Sequence, residues 1–219
     1  MKIPLIDIHT HHPLDSDEII PVESLFLQDI NFQIPIKGFF SAAIHPWHAG
    51  QYSAQQVGDM LNHLTEQPGW IAIGETGLDK RCRADYLQQK ILFELQLDFA
   101  IKHHKPVIIH AVKSWNDLIP YFKGANVPIV LHGYSGGPEL TRQLIQLGCY
   151  FSIGNSLFNP SAQVRGSIRQ IPFNLLFLET DDSQADIGSI YQEASKLLDC
   201  FTEELKIQIN MNFIHLLES

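Results

Sequence analysis

Residues 106–110 read PVIIH, a run that is apolar at every position until it stops at a histidine. Strand side chains alternate between two faces, so an uninterrupted β-branched run is buried on both. The stretch before it, residues 84–104 (ADYLQQKILFELQLDFAIKHH), sets Leu87, Ile91, Leu92, Leu95 and Phe99 on one stripe of a helix. A helix feeding a doubly buried strand is the unit of a parallel α/β sheet.

The same kind of run recurs along the chain: LIDIH (5–9), GFFSAAIH (38–45), WIAIGE (70–75), PIVLH (128–132), CYFSIGN (149–155) and LLFLETD (175–181). SLFLQ (24–28) is a weaker eighth candidate. Further helical patterns fall at 138–147, opened by Pro138 and stopped by Gly148, at 161–170 and at 186–206. Residues 207–217 read as a last turn or short helix. No glycine fingerprint follows the first strand and no Walker lysine loop is present, so seven to eight parallel strands predict a closed (β/α) TIM-type barrel rather than an open Rossmann sheet. About 250 residues is usual for eight units, so a chain of 219 residues predicts a compact barrel, one domain over 1–219.

Lys and Arg number 15 against 24 Asp and Glu, a net charge of -9. That balance argues against holding duplex DNA over a long basic surface, where phosphate neutralisation dominates affinity. It leaves open a short or terminal phosphodiester, whose charge bound cations can offset. Cys82, Cys149 and Cys200 are widely spaced without a CxxC, and read as reduced thiols in the cytoplasm. The N-terminus lacks the pattern of a signal peptide, no run suits a membrane span, and no obligate protein partner is evident.

Five of the seven clear runs carry His9, His45, Glu75, His110 or His132 at their ends, and a sixth ends on Asp181. In a β/α barrel the C-terminal strand ends form the active site. Burying six imidazoles and carboxylates together is costly unless something binds them, and such donors suit divalent transition metals. On a strand, Asp7, His9 and His11 share one face, with His9 and His11 near enough to ligate one ion if the chain turns there. His63, His103, His104 and His215 fall in helical patterns and read as surface. One tetrahedral zinc needs three protein ligands, so the ligand count favours two ions, with Glu75 and Asp181 as the candidate carboxylates.

The runs DIHTHH (7–12), IHPW (44–47), GETGLD (74–79), PVIIHA (106–111), LHGYSGG (131–137) and LETDD (178–182), with Gln89, Phe93 and Gln96, occur in that order. Together they resemble the TatD-related metal-dependent hydrolases, within the amidohydrolase-like barrels. The resemblance implies two divalent ions (Zn, Mn or Mg) and hydrolysis of phosphodiesters, usually in DNA. His9, His11 and Asp181 would hold the first ion. Glu75 would bridge to a second, completed by His110 and His132, and Asp181 would orient the nucleophilic water or accept its proton. His45 would touch a substrate phosphate or leaving group, or else serve as a hydrogen-bond partner behind the ligands. His48 has a weaker claim. Asp7 would hydrogen-bond a ligating imidazole or stay buried against the backbone, and Asp79 would shape the loop after Glu75.

The chain also departs from the family. Position 112 is Val where the family often has Arg, leaving Lys113 as the nearest cation for substrate binding. DSQADIGSIY, short and acidic, follows LETD where the family usually has a proline and a longer basic loop. The segment between His11 and His45 is abbreviated. The expected substrate is therefore a DNA end or a small phosphodiester. The alternatives are a C–N or ester hydrolase with the same cage, or a barrel that keeps metal as a binding module.

Overall fold

The computed structural model describes residues 3–29 and 38–218, and every candidate site residue lies among them. Eight strands are present: β1 (Leu5–Thr10), β2 (Ile19–Phe26), β3 (Phe39–Ala43), β4 (Trp70–Asp79), β5 (Val107–Val112), β6 (Ile129–Leu131), β7 (Tyr150–Ile153) and β8 (Leu176–Leu178). They form one sheet in chain order. The β1–β2, β3–β4, β4–β5 and β7–β8 pairs are parallel. A bridge between Thr10 and Asp181 links the end of β1 to the residues after β8. The fold is a nearly closed β/α barrel, as the runs predict; SLFLQ supplies only the last three residues of strand β2, its Leu27 and Gln28 lying in a 3-10 turn.

The helices are α1 (Ala54–Leu64), α2 (Tyr86–Lys102), α3 (Trp115–Phe122), α4 (Pro138–Gln146), α5 (Val164–Ser167), α6 (Ile187–Leu198) and α7 (Thr202–Glu218). α1, unmarked by the sequence reading, starts at a capping box in which Ser53 and Gln56 satisfy each other's backbone N–H groups. The 186–206 pattern is two helices rather than one. Asp199 adopts a left-handed φ of 57° and closes α6, and α7 then absorbs the supposed last turn. The apolar spacing runs on through Asp199, so periodicity alone hides the break. The 161–170 pattern yields only the four residues of α5 and a 3-10 turn.

The chain divides into two compact units, residues 1–23 with 131–218 and residues 24–130. In the first, Ile6, Ile8, Phe151, Ile153, Leu176, Phe177 and Leu178 are completely buried. In the second, β4 is buried along its whole length and α2 packs on it. Each large apolar side chain removed from water contributes roughly 1.5–3 kcal/mol, so both sets of strands are anchored behind the polar residues at their ends.

Two glutamines tie α2 to the strand ends of the second unit. Gln96 accepts from the Ile44 N–H at 2.6 Å and donates to Ile44 O and Thr76 Oγ1. Gln89, two helical turns earlier, accepts from the Asp79 N–H at 2.8 Å and donates to Asp79 O. Buried backbone groups that the strand ladder leaves over find partners this way.

Candidate metal centre

In the first unit, β1 carries His9, wholly buried, and delivers His11 just past its end. Asp181 sits two residues beyond Glu179 at the end of β8, and the main chain fixes it against the histidines. Its N–H donates to His9 O at 2.9 Å, and the His11 N–H donates to Asp181 O at 3.0 Å. The His132 ring follows β6 and lies 4.0 Å from the His9 ring.

Asp181 Oδ1 lies 3.7 Å from His9 Nε2, 3.8 Å from His11 Nε2 and 3.9 Å from His132 Nε2. These separations exceed hydrogen-bond length. They stay below the roughly 4.2 Å that can separate two ligands of one ion with bonds of about 2.0–2.2 Å. His9, His11 and Asp181 offer donor atoms that all lie within 4.8 Å of one another, a set that suits a divalent cation.

Glu179, which the sequence reading passed over, supports this cluster from behind. It is 1% exposed. Its Oε1 lies 3.0 Å from His132 Nδ1 and accepts the Gly133 N–H at 2.7 Å, while Oε2 accepts from Ser152 Oγ at 2.5 Å. Burial pushes its carboxyl pKa up, but the charge and hydrogen bond of His132 outweigh that and hold it below the ordinary value. A charged Glu179 would favour the His132 tautomer protonated on Nδ1, the one that presents Nε2 as a ligand atom. Its only sequence signal was that LETD is polar at three successive positions.

Asp7 takes the backbone alternative: its oxygens accept from the Thr180 N–H at 2.9 Å and Thr180 Oγ1 at 2.7 Å. Burial pushes its pKa up to about 6 against those bonds. Thr180 Oγ1 also lies 2.8 Å from Thr10 Oγ1. Strict alternation would put Asp7 and Thr10 on opposite faces. The β1–β2 register shifts between them, which marks where the simple two-residue period ends.

In the second unit, His45 follows β3, Glu75 lies within β4 and His110 within β5. Glu75 Oε1 is 2.5 Å from His110 Nδ1 and 3.4 Å from His45 Nε2. The three offer polar atoms within 4.8 Å of one another, of which the Glu75 carboxylate and the His110 imidazole suit a second cation. Close approach of β4 to β5 makes the pairing possible. A Cβ at Gly77, whose φ is +150°, would stand 2.0 Å from His110 O, and one at Gly74 2.5 Å from Ile108 Cβ.

His45 Nδ1 accepts the Trp47 N–H at 3.2 Å. The neutral ring therefore carries its proton on Nε2, the nitrogen facing Glu75. Burial lowers the His45 pKa, against the opposing pull of Glu75. Asp79 accepts from Trp47 Nε1 at 2.8 Å and from the Arg81 N–H at 2.7 Å, so it does shape the loop after Glu75. Burial raises its pKa, and these bonds outweigh that to leave it lowered.

Lys113 comes just after β5, exposed and at a φ of 53°. His48 packs edge-on to Phe26 at 5.3 Å and meets Gln51 Nε2 at 3.1 Å. Of the predicted residues, the structure therefore brings together His9, His11, His132 and Asp181 in the first unit, and His45, Glu75 and His110 in the second.

A family model described as TatD related DNase matches residues 27–215. An uncharacterized metal-dependent hydrolase of Buchnera aphidicola is 30% identical over 153 residues, covering 65% of this chain and 58% of the relative. The 3'-5' ssDNA/RNA exonuclease TatD of Erwinia tasmaniensis is 33% identical over 155 residues, covering 64% and 56%. The chain thus spans under two thirds of the length of these relatives. Among solved structures, the TatD homologue YjjV of Escherichia coli K12 superposes with a TM-score of 0.80 at 20% identity over 100% of both chains. An Entamoeba histolytica TatD family hydrolase gives 0.77 at 17% identity, over 99% of each chain. With the barrel in place and the family model matched over most of its length, the chain belongs to the TatD-related DNase family.

Proposed function

We propose that this chain is a divalent-metal-dependent phosphodiesterase that cleaves at the ends of single-stranded nucleic acid or in small nucleotides. The observation that carries the reading is the spacing of three imidazole nitrogens, 3.7 to 3.9 Å from one oxygen of Asp181. The exonuclease names among its relatives support the substrate class.

His9, His11 and Asp181, with His132 beside them, would hold one ion, and Glu75 and His110 would serve a second. A bound divalent cation supplies positive charge to phosphoryl oxygens and lowers the pKa of a water molecule. Asp181, with its side chain 43% exposed, can take the proton of an attacking water while its backbone stays fixed. Glu179 keeps His132 in one tautomer. His45, protonated on Nε2, can donate to the leaving oxygen, and Lys113 is the proposed cation for a phosphate. The reading treats residues 1–219 as one hydrolase domain in the cytoplasm. Three free cysteines support that setting, and no helix among the described residues is long and apolar enough to cross a membrane.

The test is digestion of 5'-labelled single-stranded DNA by protein reconstituted with Zn, Mn or Mg. Stepwise shortening from the 3' end is expected, and Asp181→Asn should abolish it with the circular dichroism spectrum unchanged. A substrate that stays full-length with every metal, or an Asp181→Asn variant as fast as the parent, counts against the reading.

A further inference from the structure

A shallow cavity of about 330 Å³ opens in the second unit, lined by Trp47, Asp79, Arg81, Cys82, Arg83 and Ala84. It adjoins the Glu75–His110 pair, because Asp79 Oδ2 accepts the Trp47 indole N–H and also lies 3.4 Å from His110 Nε2. Trp47 is 58% exposed, a large apolar surface left in water. Its indole is nonetheless fixed: Asp79 holds one end, and the His45 ring meets it edge-to-face at 4.6 Å and 80°. An oriented, solvent-facing indole is a stacking platform, and every nucleobase has a π face to set on it.

The cations beside it differ in what they are bonded to. Lys80 is neutralised by Asp117, 2.5 Å away. Arg81 and Arg83 are exposed, and neither guanidinium has a carboxylate partner among the described residues. Asp79 would repel a phosphate, but its oxygens are engaged by Trp47 Nε1 and by the Arg81 and Cys82 N–H groups. Guanidinium forks match phosphate oxygens two at a time. The volume sits at the lower end for small-molecule pockets, enough for one nucleotide rather than a duplex.

We propose that this cavity is a subsite for one nucleotide of a single strand, its base stacked on Trp47 and its flanking phosphates held by Arg81 and Arg83. The proposal deepens the phosphodiesterase reading and rests on it for the purpose of the site.

The test uses the metal-free full chain in EDTA, with two fluorescein-labelled probes read by anisotropy: hexathymidylate and an abasic deoxyribose-phosphate oligomer of equal length. The parent should bind hexathymidylate about tenfold more tightly, the value of one stacked base. Trp47→Ala should bind both probes alike, and Trp47→Phe should recover most of the preference. Arg81→Ala with Arg83→Ala should weaken both probes equally and flatten the salt dependence. A parent that does not distinguish the probes, or a Trp47→Ala variant that still does, overturns the proposal. Binding here needs neither cation nor turnover, so a failure of hydrolysis in the metal-loaded protein would sink the phosphodiesterase reading on a separate readout.

Discussion

Glu179 Oε1 stands 3.0 Å from His132 Nδ1, on the side of the ring opposite the nitrogen that faces Asp181. The carboxylate sets the tautomer and orientation of a proposed ligand without offering itself to the ion. Glu179→Gln keeps the shape but removes the charge. It should lower metal affinity about 10–100-fold while the fold persists, as measured by calorimetric titration with Zn or Mn. Affinity equal to the parent's would show that His132 needs no such support.

Gly77 allows β4 to lie against the carbonyl of His110. Gly77→Ala places a Cβ 2.0 Å from that oxygen at a φ of +150°, a conformation L side chains avoid. Chemical denaturation should show a loss of about 2–4 kcal/mol. Gly58 in α1 has nothing within 4 Å of its own Cβ position, and Gly58→Ala should gain about 0.5–1 kcal/mol. Equal effects at the two positions would remove the steric argument for the GETG run.

How far the sequence could be read follows from this contrast. Short apolar runs ending in His or an acid announce both the strands and the residues at their tips, because burial on two faces and a polar stop are local facts. Glu179 escaped because the last polar residue of LETD drew the reading past it, and only tertiary contact reveals its hold on His132. Leu87 and Ile91 of the predicted stripe are exposed, whereas α2 buries Gln89 and Gln96, which entered only with the family motifs. Their partners, the backbone at Asp79 and Ile44, lie on other elements. Arg81 and Arg83 were simply two charges in an acidic chain until the fold set them beside Trp47.

His45 and Lys113 separate substrate contact from metal binding. His45→Ala should lower kcat on a model phosphodiester about 10²-fold, the range for a lost general acid, with metal content unchanged. Lys113→Ala should raise KM or lower kcat/KM, also with metal content unchanged. Elemental analysis beside steady-state kinetics decides the matter. Loss of metal in either variant would move that residue into the cage, and normal kinetics in both would favour a C–N or ester bond as the target.

The central claim is that the imidazole and carboxylate clusters are metal sites, and metal stoichiometry tests it most directly. Protein reconstituted with Zn or Mn and freed of excess metal should retain close to two ions per chain by mass spectrometry of the dissolved element. Glu75→Ala should fall to one ion or fewer. A parent chain that retains none, or a Glu75→Ala chain that retains as many as the parent, would contradict the account.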